Sequence, residues 1–385
     1  MNTDGRDKNR LGAHPGWSRR AALGGLVALA ATPSLAAATR LPLNRWAGKL
    51  FVPVVVNGVG AEALLDTGSA RTSIDRAFAA QAGIRGHGFF VGTFIQGRVR
   101  GAYAEAMTLH VGDASVSATG AVILDYGQLS RELGRPVQVV LGRELFESCV
   151  VDLDVERGEA MVRPRAGLEP GAGATMVPLR PSHDRMAAPV TVEDVGPLWA
   201  SVDLGADTPL ILSPSAAARR LLQNRPTSTA LIGGEGSRAM AQVATAKSLA
   251  FAGARLANVP FQVAPRSLSY DAILGLPVLQ RFALSLDFGG RRMWLTPGPN
   301  LTFPFAKDRT GLNGYLDGGA LRILHVARGG PAERAGFKAG EVVTGIDGMP
   351  AAAANAALVN APAGRTLEFT LADGSRRRLT LADYY

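Results

Sequence analysis

The strongest constraint on how this chain can fold is that it contains the same unit twice. The first copy reads Val54-Val55-Val56-Asn57-Gly58, then Ala63-Leu64-Leu65-Asp66-Thr67-Gly68-Ser69. The second reads Val190-Thr191-Val192-Glu193-Asp194, then Ala200-Ser201-Val202-Asp203-Leu204-Gly205-Ala206, which puts Asp203 137 positions after Asp66. Later in the first copy, Val139-Val140-Leu141-Gly142 runs on through Leu153-Asp154 to Met161-Val162-Arg163-Pro164. At an offset of 133, Ala272-Ile273-Leu274-Gly275 leads through Leu286-Asp287 to Trp294-Leu295-Thr296-Pro297. Segments that keep one order and nearly one spacing are copies of one structural unit. Short runs of Val, Ile and Leu between Gly-containing turns predict small all-β lobes. Residues 76–83 and 215–222, Ala-rich and just after each aspartate motif, predict short helices.

The chain has 385 residues, 47% of them hydrophobic and 19% charged, enough apolar material for two or three packed domains. One cysteine, Cys149, excludes an internal disulfide, a Cys-based zinc site and a CxxC redox centre; it aligns with Phe282 in the repeat and reads as a core thiol. The five histidines, His14, His87, His110, His183 and His325, are scattered without ligand spacing, and no metal or organic cofactor is expected. The net charge of +9 owes much to the N-terminus. Beyond residue 38 there are 36 basic and 30 acidic residues, spread out, and the Arg376-Arg377-Arg378 run has no aromatic neighbours for base stacking. No nucleic-acid partner is expected.

Residues 1–38 follow the plan of a signal peptide. Arg6, Lys8, Arg10 and Ser18-Arg19-Arg20 precede a mildly apolar stretch from Ala21, and Ala36-Ala37-Ala38 offers a small-residue cleavage site. The Arg pair resembles a twin-arginine signal, which implies a bacterial protein exported to the periplasm or beyond. Gly24-Gly25 and Pro33 make the same stretch a poor membrane anchor, which favours cleavage, and no run of 18 apolar residues lies beyond it, so the mature chain is expected to have no membrane span.

Two lobes that each present Asp-x-Gly at the end of an apolar strand resemble the aspartic proteases of the pepsin and retropepsin kind. The resemblance spans about residues 46–299, with lobes expected at 46–166 and 174–299. It implies that Asp66 and Asp203 form a catalytic pair sharing one proton, because two carboxylates about 3 Å apart cannot both ionise. It further implies supporting roles for Thr67, Gly68, Ser69 and Gly205. Both glycines permit a tight turn, Thr67 bonds across to the other lobe's backbone, and the Ser69 hydroxyl meets the outer oxygen of Asp66. The second motif departs from the pattern, with Leu204 for threonine and Ala206 for serine. Lacking the serine hydroxyl, Asp203 is expected to carry the shared proton. The family covers its site with a hairpin flap, and Phe94, Ile95 and Gly97 fall at that tip in the first lobe. Leu231-Ile232-Gly233-Gly234-Glu235-Gly236 is the second-lobe counterpart. It lacks the Lys-Ser or Lys-Thr ending of a phosphate loop.

The last segment, 303–385, runs through Arg328-Gly329-Gly330-Pro331-Ala332, Ala335-Gly336-Phe337, Gly340-Glu341, Ile346-Asp347-Gly348 and a helix-like Ala351 to Leu358. That order resembles a bacterial PDZ domain, an α+β module that adds a peptide strand to a sheet edge. Gly311, Leu312, Gly314, Tyr315 and Leu316 are the implied peptide-binding residues. The expected architecture is therefore mainly β: two pseudo-symmetric retropepsin-like lobes and an α+β PDZ module. The expected activity is an aspartic-type endopeptidase acting on peptides or proteins, with a C-terminal or internal peptide at the PDZ groove. The alternative is a peptide-binding pseudoprotease and PDZ scaffold, in which Leu204 and Ala206 mark lost catalysis. A serine protease is set aside, because Gly-x-Ser-x-Gly and Gly-Asn-Ser-Gly-Gly are absent.

Overall fold

The computed structural model describes residues 39–93, 98–165, 173–234, 237–358 and 361–385. The expected leader, 1–38, lies outside the described residues, as do Phe94, Ile95 and Gly97 of the first hairpin and Glu235 and Gly236 of the second. The protein is mainly β, with 52% strand and 12% helix, and its two repeats form two similar β-rich lobes. Among the described residues, no helix is long and apolar enough to cross a membrane.

The similarity of the lobes extends to the sense of each strand pairing. In the first, Val59–Leu65 runs parallel to Val139–Leu141, which lies antiparallel to Ser73–Asp75. Ser73–Asp75 is parallel to Val122–Leu124, and that strand is antiparallel to Arg98–Ala104. In the second, Val195–Asp203, Ala272–Gly275, Leu210–Leu212, Ala254–Val263 and Ser237–Phe251 repeat the same alternation. The central strands are covered on both faces, which explains their unbroken apolar runs: Ala63 to Leu65 and Val139 to Leu141 are all buried. The expected helices occur at Arg76–Gln81 and Ala216–Leu222. Asp75 caps the first by accepting from the Ala77 and Phe78 amides, and Ser215 caps the second by accepting from the Ala218 amide.

A third sheet joins the lobes. Its order is Arg40–Pro42, Glu159–Pro164, Cys149–Asp154, Phe282–Asp287, Arg292–Pro297, Thr175–Pro178, three strands from each half. Cys149–Asp154 and Phe282–Asp287 meet antiparallel at its centre, pairing Val151 with Leu286 and Leu153 with Leu284. Pairing thus begins at Arg40, ahead of the start at 46 expected for the first lobe, because the outer edge of Glu159–Pro164 takes up that strand. Cys149 is buried in the core shared by the lobes.

The C-terminal segment has its own core, built on Ile323, Phe337, Val343, Ile346, Phe369 and Leu379. Its sheet runs Leu312–Asp317, Ala320–Val326, Val342–Ile346, Thr366–Leu371, Arg376–Thr380, with helices Pro331–Arg334 and Ala351–Leu358. The Arg376 to Arg378 run lies on the last strand, where Glu368 meets Arg376 and Arg378 and Glu341 meets Arg377, so its charge is largely answered in place. Leu312–Asp317 is an edge strand of this sheet. It packs toward the first-lobe helix Gly127–Leu133, and Asn313 Oδ1 accepts from the Leu231 amide of the second-lobe hairpin at 3.1 Å.

Candidate active site

Each aspartate sits where a buried strand ends and the chain turns. The Asp66 amide donates to Leu141 O at 3.0 Å, and the Ser69 amide closes the turn on Asp66 O at 3.1 Å. Under each turn lies the glycine that ends the later apolar run. A Cβ on Gly142 would stand 2.4 Å from Arg71 O, and one on Gly275 would stand 2.0 Å from Thr208 O. Both runs end in glycine because backbone fills the space a side chain would need.

The two turns meet across the lobe boundary. A Cβ on Gly68 would lie 2.2 Å from Asp203 Oδ2, and a Cβ on Gly205 would lie 2.4 Å from Asp66 Oδ1. Each motif's glycine is therefore packed against the other lobe's carboxylate. The Gly68 amide donates to Asp66 Oδ1 at 2.8 Å, while the Gly205 and Ala206 amides donate to Asp203 Oδ1 at 2.9 and 3.0 Å. The buried Thr67 hydroxyl donates to Val202 O at 2.8 Å and accepts from the Leu204 amide at 2.9 Å, a tie between lobes as expected. Leu204, in the equivalent place, is fully buried in the core and returns no such tie.

Two expectations are corrected. The Ser69 hydroxyl donates to Arg71 O at 2.9 Å rather than to Asp66, since the turn brings that carbonyl within its reach. The second concerns the donors around the carboxylates, which are more numerous at Asp203 than the missing serine at 206 suggests. Asp203 accepts from two amides and has Arg185 Nη1 3.5 Å from Oδ2, whereas Asp66 accepts from one amide. Burial, and then the neighbouring Asp203 charge, push Asp66 up to about 7, against smaller opposing effects of Arg185, Lys49 and the Gly68 amide. On the second side, where serine is missing at 206, the Ala206 amide and the Arg185 guanidinium stand by Asp203 instead.

Two residues at this site were not singled out from the sequence, Lys49 and Arg185. Lys49 Nζ donates to Gly205 O at 2.6 Å, reaching from the first lobe to the second. A signal for both was present: they stand 136 positions apart and open the matching strands Lys49–Val56 and Arg185–Val192. Aligning the repeat at its basic residues as well as its apolar ones brings them out.

The strands Gly86–Thr93 and Arg98–Ala104, on either side of the expected flap tip, pair antiparallel and expose Phe89, Val91 and Tyr103; Phe94, Ile95 and Gly97 are outside the described residues. In the C-terminal segment, Gly314, Tyr315 and Leu316 lie on the edge strand Leu312–Asp317. The amides of Gly311 and Leu312 are already engaged, the first by Asp308 Oδ1 at 3.1 Å and the second by Thr310 Oγ1 at 2.9 Å. A peptide carboxylate at this loop would have to displace those side chains to use them.

The model of a family described as aspartyl protease matches residues 52–145 and 188–278, one match in each lobe and together just under half of the chain. The double match supports a retropepsin-like aspartic protease with two lobes. No curated protein matches the chain.

Proposed function

We propose that this protein is an aspartic-type endopeptidase in which Asp66 and Asp203 work as one dyad on a peptide bond held between the lobes. The observation that carries the reading is the reciprocal contact of each motif's glycine with the opposite carboxylate, which leaves the two acids no room to ionise independently. Ionised Asp203 takes a proton from a water whose oxygen attacks the scissile carbonyl carbon. Asp66 gives its proton to the carbonyl oxygen. In the second half of the reaction Asp203 gives the water's proton to the leaving nitrogen as the C–N bond breaks, and Asp66 takes a hydroxyl proton back from the tetrahedral intermediate as its C=O bond re-forms, which restores the single shared proton. The exposed Phe89, Val91 and Tyr103 of the flap hairpin suit apolar substrate side chains.

The C-terminal segment serves in this reading as a PDZ-like module that offers its edge strand Leu312–Asp317 to a substrate or regulatory peptide. The leader sends the protein out of the bacterial cytoplasm.

The test is hydrolysis of an unfolded protein across pH 3 to 8 by the parent, Asp66→Asn and Asp203→Asn. Turnover in the parent is expected to decline as pH rises through about 7, where Asp66 loses its proton, and both variants are expected to be inactive. A parent that retains peptides at every pH but cleaves none would move the reading to the peptide-binding pseudoprotease.

A further inference from the structure

We infer that Arg185 is a positioning residue that holds Asp203 as the ionised member of the pair, and that it is free to do so because its counterpart across the lobe boundary is missing. The inference rests on the dyad reading above.

Lys49 and Arg185 occupy equivalent places, and Pro53 and Pro189 recur four residues further on in each strand. Lys49 crosses to the other lobe, to Gly205 O and to within 3.9 Å of Asp207 Oδ2, the fourth residue after Asp203. The fourth residue after Asp66 is Ala70, which has no carboxylate to offer Arg185 in return. Among the described residues, the carboxylates paired with Arg185 are its neighbour Asp184, 3.9 Å from Nε, and Asp203, 3.5 Å from Nη1.

The surroundings make that second contact matter. The Arg185 side chain is only 17% exposed, and its guanidinium carbon lies 5.8 Å from the centre of the Tyr270 ring. Burial and the charges nearby, Asp203, Asp184 and Asp66 against Arg185 itself, keep the Tyr270 phenol protonated. Asp184 is half exposed, and Lys49 is committed to Gly205 and Asp207. A buried cation loses much of its hydration and needs an anion beside it, which Asp203 provides only while ionised. The pair is thereby polarised: negative charge on Asp203, the proton on Asp66. A symmetric dyad could exchange those roles, and this one is held in a single arrangement.

The consequence is read in the acid limb of the pH profile of kcat/KM, where the pair takes up a second proton and turnover stops. Arg185→Gln is expected to move that limb to higher pH by about one unit or more, the range for loss of an adjacent opposite charge. The alkaline limb moves the same way by less, since Arg185 also lowers Asp66. Arg185→Lys keeps the charge and is expected to restore both limbs. Ala70→Asp supplies the missing carboxylate, draws Arg185 off Asp203, and is expected to raise the acid limb with the dyad and Arg185 both present. Carbon-13 NMR titration of the Asp66 and Asp203 carboxyls reads the same shift without turnover. A shifted titration with no hydrolysis in any protein would uphold Arg185 and overturn the protease reading. Unmoved limbs and unmoved carboxyl titrations in both Arg185→Gln and Ala70→Asp, with only a uniform loss of rate, would overturn the role of Arg185.

Discussion

At the scale of single residues the site is set by small side chains and by one hydroxyl. Gly205→Ala would drive a methyl into the Asp66 carboxylate, so the carboxylates must separate; the expected loss in kcat/KM is about 100-fold or more, because displacements near 1 Å are enough for that. Steady-state kinetics on the variant, alongside its melting curve, distinguishes displacement from unfolding. Thr67→Val removes both hydrogen bonds across the lobe boundary and leaves Val202 O and the Leu204 amide unpaired. Denaturant titration should show a cost of about 1–3 kcal/mol for that buried loss. Asp66 makes a third prediction. Its folded-state value is raised from the ordinary 3.8 to about 7, so the folded protein binds this proton more tightly than the unfolded chain does. That contribution is fully present below about pH 4, is lost as pH rises to about 7, and is flat beyond, with a limiting slope of about 1.4 kcal/mol per unit. Asp66→Asn cannot ionise and keeps an oxygen for the Gly68 amide. It is expected to melt higher than the parent at pH 8 and to lack the decline between pH 5 and 7.

Among the elements, the link from the second lobe to the C-terminal segment depends on one buried cation. Arg281 Nη1 faces the carbonyls of Asn300, Leu301 and Phe303 at 2.6 to 3.0 Å, Nε donates to Pro277 O at 3.1 Å, and the guanidinium stacks 3.7 Å from the centre of the Phe305 ring. Arg281→Ala strips those carbonyls of their donor, so limited proteolysis is expected to cut first between residues 298 and 308 while the lobes stay intact. Lysine is expected to rescue poorly, since it offers neither the planar face nor the several fixed N–H directions. The elements themselves were largely legible beforehand. The Ala-rich runs predict helices at 76–83 and 215–222, and the helices stand at Arg76–Gln81 and Ala216–Leu222, each with the polar cap its first turn needs. What local pattern does not contain is the sense of pairing, because Ser73–Asp75 is three residues long and nothing within it says that one neighbour is parallel and the other antiparallel.

Across the whole molecule the lobes are one body because their strands share a sheet. Cys149–Asp154 finds its outer partner in Phe282–Asp287 of the other copy. A fragment of residues 39–165 would leave that edge bare, with Val151 and Leu153 deprived of cover, and is expected to pair with its own copy; light scattering after size exclusion should find a dimer rather than a monomer. The repeat and the mainly β character could be read from the chain itself. Each is a property of order and spacing along one strand of sequence, and duplication makes such signals reinforce one another. The groups that surround each carboxylate could not be read that way. The sequence shows one hydroxyl fewer beside Asp203, for want of a serine at 206, yet two amides and a guanidinium reach it through space. Arg185 is 18 residues from Asp203 along the chain, and the absence that frees it, Ala70, lies in the other lobe. Electrostatic energy depends on distance and burial, and those are properties of the packed molecule alone.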